Sequence, residues 1–290
     1  MPKCSIAELS DRGVIKVHGA DAHRLLQDIT TNDIARARGG NAIHTALLTP
    51  QGKILFDFFL IDRGDDLLLE CTRTTIPELL KRLTFYKLRA DATFDDVSSS
   101  HSVLAAWGAI PDVPGEVTSY ADPRASSLGY RVIAASGAGP CKNCDKVSSD
   151  DYHAHRIDVG IPESGLDYLL GDTFPHEANY DQLNGIDFKK GCYVGQEVVS
   201  RMQHRGTARK RIVPVSGVSG HASGETITAG EATIGTLGSI AGNRGLAMVR
   251  LDRAEKAIAD ARPLTIGENT IQLHQPEWAQ FRVPTEASAS

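Results

Sequence analysis

No apolar stretch in the sequence is long enough to cross a bilayer. The longest, Ile54 to Ile61, is interrupted by Asp57 and falls well short of the roughly 20 residues that a membrane helix needs. Neither sign of charge prevails: 31 Lys and Arg against 36 Asp and Glu give a net charge of −5, which excludes a general affinity for nucleic acid and leaves room only for a local basic patch. Aromatic residues are few, 6% of the chain, and none of them builds an aromatic-rich RNA motif. The start, Met1 to Ile6, has no apolar signal core, and the early acids Glu8 and Asp11 do not suit a transit peptide, so the expected location is the cytoplasm. Five cysteines, an odd number without an export signal, argue for reduced thiols over a disulfide framework. What is present, 41% hydrophobic and 23% charged residues with mean hydropathy −0.21, is the composition of a folded soluble protein of two or three domains.

Along the chain, Val14, Ile15 and Val17 read as a strand. A helix capped by Asp21 follows, with Leu25, Leu26 and Ile29 on its apolar side. A hairpin is expected around Thr49-Pro50-Gln51-Gly52, then a strand at Leu67 to Cys71 and a helix over 75–88 carrying Leu79, Leu80, Leu83 and Tyr86. Strand-like runs at 91–97, 102–108 and 130–135 suggest an α+β layer with helices on one face of a sheet. Residues 136–144 read as a linker, Ser149 as the cap of a helix through Ile157, and 160–187 as largely irregular. Beyond Gly206, short Gly-punctuated runs at 211–218, 232–240, 244–251 and 264–273 with little helix predict a small β-barrel, and the polar tail 284–290 is expected to fray.

Chemistry concentrates in Phe188 to Glu197, where Gly191 and Gly195 bracket Cys192 just before a helical segment, Gln196 to His204. A thiol beside two lysines and a helix N-terminus is suited to be reactive; the residue types alone lean instead to a small buried cysteine packed where glycines allow close approach. Glu197, Arg201 and Arg205 share one helix face. Cys141-Lys142-Asn143-Cys144 has the two-residue spacing of metal or redox pairs, but no second Cys/His pair follows at zinc-finger spacing. An exposed loop without a metal is therefore expected there. Seven basic residues between Lys189 and Arg211 face the single acid Glu197, a local excess that would serve an anionic folate, an acidic protein or, least favoured by composition, RNA.

The segment Lys189-Lys190-Gly191-Cys192-Tyr193-Val194-Gly195-Gln196-Glu197 closely resembles the Lys-Gly-Cys-Tyr-x-Gly-Gln-Glu signature of the YgfZ-type folate-binding proteins. These group with mitochondrial iron–sulfur assembly factors and are related to the glycine-cleavage T-protein. Leu25 to Asp33 and Leu47 to Phe58 are similar to the family's first helix with its Thr-Asn-Asp turn and to its first hairpin. The resemblance implies a three-lobed α+β fold: two ferredoxin-like α+β domains, the first interrupted (1–51 and 148–206) by the second (52–147), and a carboxy-terminal β-barrel at 207–283. It implies tetrahydrofolate as the cofactor. Glu177, in Phe174 to Ala178, would accept the pterin N–H groups, Arg156, Arg201 and Arg205 would meet the glutamyl tail, and Tyr180 or Tyr193 would flank the aromatic linker. Lys190, Gln196 and Glu197 of the signature complete the expected folate site, and Cys192 is the expected essential thiol. Pro77, flanked by Glu78, stands where the resemblance puts the catalytic aspartate of an aminomethyltransferase, so the favoured expectation is an accessory protein of iron–sulfur cluster assembly or repair. Its partners would be assembly proteins or client enzymes. A folate-dependent aminomethyltransferase and a tRNA-modification accessory protein are the alternatives.

Overall fold

The computed structural model describes residues 3–115, 117–139, 141–206 and 208–285; the end of the expected frayed tail, 286–290, lies outside them. The chain divides into two compact units, 1–152 with 183–196 and 153–182 with 197–290.

Among its described residues the first unit has ten strands: β1 (Cys4–Glu8), β2 (Arg12–His18), β3 (Ala42–Leu48), β4 (Ile54–Asp62), β5 (Leu67–Thr72), β6 (Thr93–Asp96), β7 (His101–Trp107), β8 (Thr118–Ala121), β9 (Tyr130–Ala135) and β10 (Cys144–Val147). One antiparallel sheet has the order β3-β4-β5-β2-β6; the other runs β10-β1-β7-β9-β8, with β1 and β10 parallel. Alternation along the strands explains the layering, since successive side chains point to opposite faces. Ile15, Val17, Phe58, Leu60, Leu67 and Leu69 pack under helices α1 (Ala22–Ile29) and α2 (Ile76–Lys87). The residues between them, Val14, Phe59, Ile61 and Leu68, pack against Val103, Tyr120 and Ile133 of the second sheet. The first sheet is therefore buried on both faces, where helices on one face alone were expected. Each fully buried Leu, such as Leu26, Leu79 or Leu83, contributes about 1.5–3 kcal/mol.

Local starts differ from expectation in two places. Asp21 stands at the N-cap position of α1 but does not cap it; its carboxylate accepts instead from the Asp91 backbone N–H at 2.8 Å. Helix α3 (Ser149–Val159) is capped by Ser148 rather than Ser149: Ser148 Oγ accepts from Asp151 N at 3.1 Å, and the Asp151 carboxylate accepts from Ser148 N at 2.9 Å. The expected linker ends in a real strand, β10, paired with β1.

In the second unit, β11 (Lys210–Ser216), β12 (Thr226–Ala229), β13 (Ala232–Ala241), β14 (Arg244–Arg250), β15 (Thr265–Ile266), β16 (Asn269–Thr270) and β17 (Gln272–Leu273) form one sheet of order β16-β15-β12-β13-β14-β11-β17. Helix α4 (Gln196–Arg205) precedes it. Helix α5 (Leu251–Ala259) was not expected in this β-rich part; its buried residues are the small Ala254 and Ala257, which give a weak apolar signal. Residues 160–182 are irregular, as expected, and are fixed to the sheet by Asn179, whose side chain donates to Ile212 O at 2.8 Å.

Candidate functional site

Within the first unit, the loop 184–196 is tied to the turn that ends α1. Thr31 Oγ1 donates to Gly185 O at 2.7 Å, Asn32 Nδ2 donates to His44 O at 2.8 Å and Asn184 O at 2.7 Å, and Asp187 N donates to Thr31 O at 3.0 Å. Asp187 Oδ1 accepts from Lys189 N and Lys190 N at 2.7 and 3.1 Å, turning the chain. Lys190 then reaches inward: Nζ donates to the carbonyls of Gln27, Thr30 and Asn32 at 2.6, 2.5 and 3.2 Å, filling orphan acceptors at the end of α1. Its ammonium lies 5.2 Å from the centre of the Tyr193 ring. Burial lowers its pKa to about 8, against the opposing pull of Asp33, Asp28 and Asp187.

Directly after Cys192, Tyr193 O accepts from Gln196 N at 3.2 Å. Gly195 has φ +83°, and a Cβ there would stand 2.7 Å from Thr49 O, so the hairpin turn clamps the loop from behind. Between these anchors Cys192 is exposed, which decides against the buried-cysteine reading. Cys71, by contrast, is fully buried, and burial pushes its thiol up to about 12. Beside the loop, Asn32, Arg36, Asn41, Pro123 and Asn184 line a polar hollow of about 350 Å³.

The other predicted residues belong to the second unit. Glu177 is mostly buried; Oε2 accepts from Phe174 N at 3.1 Å and Oε1 lies 3.8 Å from Lys210 Nζ. Its neighbour His176 bonds Gln203 at 3.0 Å, and burial lowers its pKa. Arg201 and Glu197 pair at 2.5 Å on the exposed side of α4, where Arg205 is also exposed. Two expected ligand residues have structural work instead. Arg156, 1% exposed, is held by Asp167 at 2.8 Å and Glu163 at 3.2 Å and donates to Ser239 Oγ, and the buried Tyr180 hydroxyl meets that of Tyr168 at 3.1 Å. Tyr193 in the first unit is likewise largely buried, and burial raises its phenol.

Sequence reasoning missed two clusters. Between the two sheets of the first unit, Glu70 Oε1 accepts from Arg12 and Arg131 at 3.0 and 2.9 Å, and Oε2 accepts from Tyr120. Asp122 pairs with Arg124 at 2.8 Å and with Arg131 at 3.3 Å. The guanidinium groups of Arg124 and Arg131 lie 4.9 and 5.0 Å from the centre of the Phe59 ring. Burial alone would raise Asp122, but Arg124 and Arg131 hold it well below the usual carboxylate range. The second cluster is sulfur. The cysteines are not five separate thiols: Cys144 stands against both Cys4 and Cys141.

Residues 2–130 match the family described as the GCVT N-terminal domain, and 209–281 that described as the CAF17 C-terminal beta-barrel domain. The iron-sulfur cluster assembly factor IBA57 homolog, mitochondrial, of Mycosarcoma maydis is 34% identical over 228 residues, covering 73% of this chain and 57% of the relative. The Neurospora crassa homolog is 33% identical over 234 residues, with 53% of its length covered, so the chain spans little more than half of these fungal relatives. The iron-sulfur cluster assembly factor IBA57, mitochondrial, of Mus musculus is 31% identical over 278 residues, covering 83% of this chain and 76% of the relative. In structure, the glycine cleavage system aminomethyltransferase T from Bartonella henselae superposes with TM-score 0.74 at 13% identity over 97% of this chain and 88% of that one, a likeness of fold. The relatives' mitochondrial names overturn the cytoplasmic location expected from the start of the chain. By the identity and coverage of the mouse relative, the chain belongs to the IBA57 family of iron–sulfur cluster assembly factors, built on the fold of the glycine-cleavage T-protein.

Proposed function

We propose that the protein is a mitochondrial iron–sulfur cluster assembly or repair factor that binds tetrahydrofolate and works through the thiol of Cys192. The observation that carries this reading is the exposed Cys192 on a loop fixed at both ends by Lys190 and Gly195: a thiolate is a soft ligand and nucleophile, and here it is presented at a defined position. The names of the relatives support the assembly role.

The donor set of the second unit suits folate. Glu177 offers a carboxylate to the neighbouring pterin N–H groups, and the exposed Arg201 and Arg205, with Lys210 at 3.8 Å from Glu177, offer cations to the glutamyl carboxylates. Folate bound there would supply a one-carbon carrier or a regulatory signal to the assembly step. Arg156 and Tyr180, being occupied inside the fold, would brace the second unit rather than touch the ligand. Aminomethyl transfer finds less support: Pro77 occupies α2, and Glu78 is exposed and pairs with Lys81 at 3.7 Å on the helix surface. The RNA reading weakens as well, because two of the seven basic residues are spent internally, Lys190 on carbonyls and Arg211 on Asp181.

Two measurements separate the parts of this reading. Tetrahydrofolate at a hundredfold excess over Kd should stabilise the purified protein by about 2.7 kcal/mol, seen as a higher melting temperature that Glu177→Ala abolishes and Cys192→Ala keeps. In cells lacking their own copy, the wild-type chain should restore iron–sulfur enzyme activity and Cys192→Ala should not. Full rescue by Cys192→Ala would remove the thiol from the mechanism.

A further inference from the structure

We propose that Cys4, Cys141 and Cys144 form a second, separate site in the first unit that binds a thiophilic divalent cation of the zinc class. The three sulfurs lie within 4.8 Å of one another, although they come from three places in the chain: the start of β1, the start of β10 and the loop that leads into β10. Parallel pairing sets Cys4 opposite Cys144, and the two-residue spacing returns Cys141 to the same point. With zinc–sulfur bonds of about 2.3 Å, a tetrahedral site has sulfur–sulfur edges of about 3.8 Å; the Cys144 sulfur stands closer than that to both of the others, so the three sulfurs would spread apart to admit the ion.

Valence favours a metal over a disulfide. The Cys144 sulfur faces both other sulfurs, and a disulfide would join it to one of them and leave the third outside the bond. A cation engages all three, each thiol releasing its proton to solvent as it coordinates.

A fourth donor stands ready. Asn143 Nδ2 donates to Ile110 O at 3.0 Å, and Asn143 Oδ1 accepts from Asp112 N at 2.7 Å, so the amide cannot turn. That same Oδ1 accepts from Cys141 Sγ at 3.1 Å and from Cys144 Sγ at 3.4 Å, contacts that the thiols would give up with their protons. Beside thiolates a carbonyl oxygen is repelled; beside a cation bound by those thiolates it is a ligand.

The surroundings agree. Cys4 is 2% exposed and packs with Leu104, Ala106, Val132 and Ala134, while the half-buried Cys141 and Cys144 rest against the same cluster, so the sulfurs have an apolar wall on one side and solvent, from which an ion can enter, on the other. Three thiolates on a divalent ion leave a net charge of −1 (+2 − 3), and Lys142 and Lys146 flank it in sequence. The ion would fasten β1 to β10 across a sequence separation of 140 residues.

The test uses the full chain purified under reducing, oxygen-free conditions. One zinc per chain is expected. Exchange for Co2+ should give the thiolate-to-cobalt charge-transfer band of a sulfur-rich tetrahedral site, and C141S, a loop substitution, should lose both band and stoichiometric zinc. Because a variant can also misfold, wild-type protein is alkylated with iodoacetamide and mapped by mass. Zinc should protect Cys4, Cys141 and Cys144 while Cys192 reacts, and a chelator should remove the protection. Metal-free protein after zinc incubation, a Co2+ spectrum without the thiolate band, or a disulfide at Cys144 that persists in reductant would each overturn the site.

Discussion

The loop that presents Cys192 depends on the absence of one methyl group. At Gly195 the backbone is left-handed, and an added Cβ would press on Thr49 O, with Leu48 Cβ and Gly52 Cα each 3.1 Å away. Gly195→Ala should therefore cost about 1–3 kcal/mol, read as a lower urea midpoint together with faster amide exchange over 188–195; unchanged exchange would mean that the hairpin does not clamp the loop. Lys190 at the other anchor makes a pH prediction. Burial lowers its pKa from 10.5 to about 8, so the folded chain gives up this proton before the unfolded one. Between these values the unfolded state binds more protons, and the lysine's contribution to stability rises with pH. Compared with Lys190→Met, which is weaker throughout because three carbonyls lose their donor, the wild type should gain stability from about pH 8 to about pH 10. Parallel urea midpoints for the two proteins would contradict that sign. Glycines and a cysteine in close succession made this loop visible in the sequence. Its attachment to the end of α1 was not, because Lys190 and Thr30 are 160 residues apart.

Between the two sheets of the first unit, stability rests on charges that must stay matched. Removing one partner of a buried pair costs about 3–5 kcal/mol, since the remaining charge keeps its desolvation penalty. Arg131→Met, which strips both Glu70 and Asp122 of a cation, should fall in that range by chemical denaturation. Acid acts through the same pairs: Asp122 is held below its ordinary 3.8 in the folded state, so its contribution is complete above about pH 4 and is lost as pH falls through the lower folded value. Asp122→Asn should flatten the acid limb of the stability profile. The apolar runs of β4 and β5 announced strands with little polar face, yet not what would cover the second face. Its cover is Val103, Tyr120 and Ile133 of β7, β8 and β9, and β8, four residues long, is too short to show a period. Arg12 and Arg131 meet Glu70 across 58 and 61 residues of sequence, a pairing that no local pattern announces. Helix α5 escaped notice for another reason, its buried side being alanine.

At the scale of the whole molecule, neither unit is a continuous stretch of chain. The carboxy-terminal sheet has a barrel family's sequence, which invites the view that it folds alone, but several of its polar groups are satisfied by residues 153–182. Arg211 pairs with Asp181 at 2.5 Å and donates to His176 O at 2.7 Å. Ser239 N donates to Asp167 at 2.8 Å, Trp278 Nε1 donates to Val159 O at 3.0 Å, and Ile212 O receives the Asn179 amide. Arg211 is largely buried, and a buried cation left without its carboxylate is costly. A fragment of residues 197–290 should therefore melt well below the intact chain and bind a hydrophobic dye, and a synthetic peptide of residues 153–182 added in trans should raise its melting temperature and displace the dye. Arg211→Met in the same fragment should narrow the gap, because the uncompensated charge is removed. If the fragment instead melts like the intact chain and ignores the peptide, the sheet closes its own core, and the 153–182 segment is a passenger on the second unit rather than part of its framework.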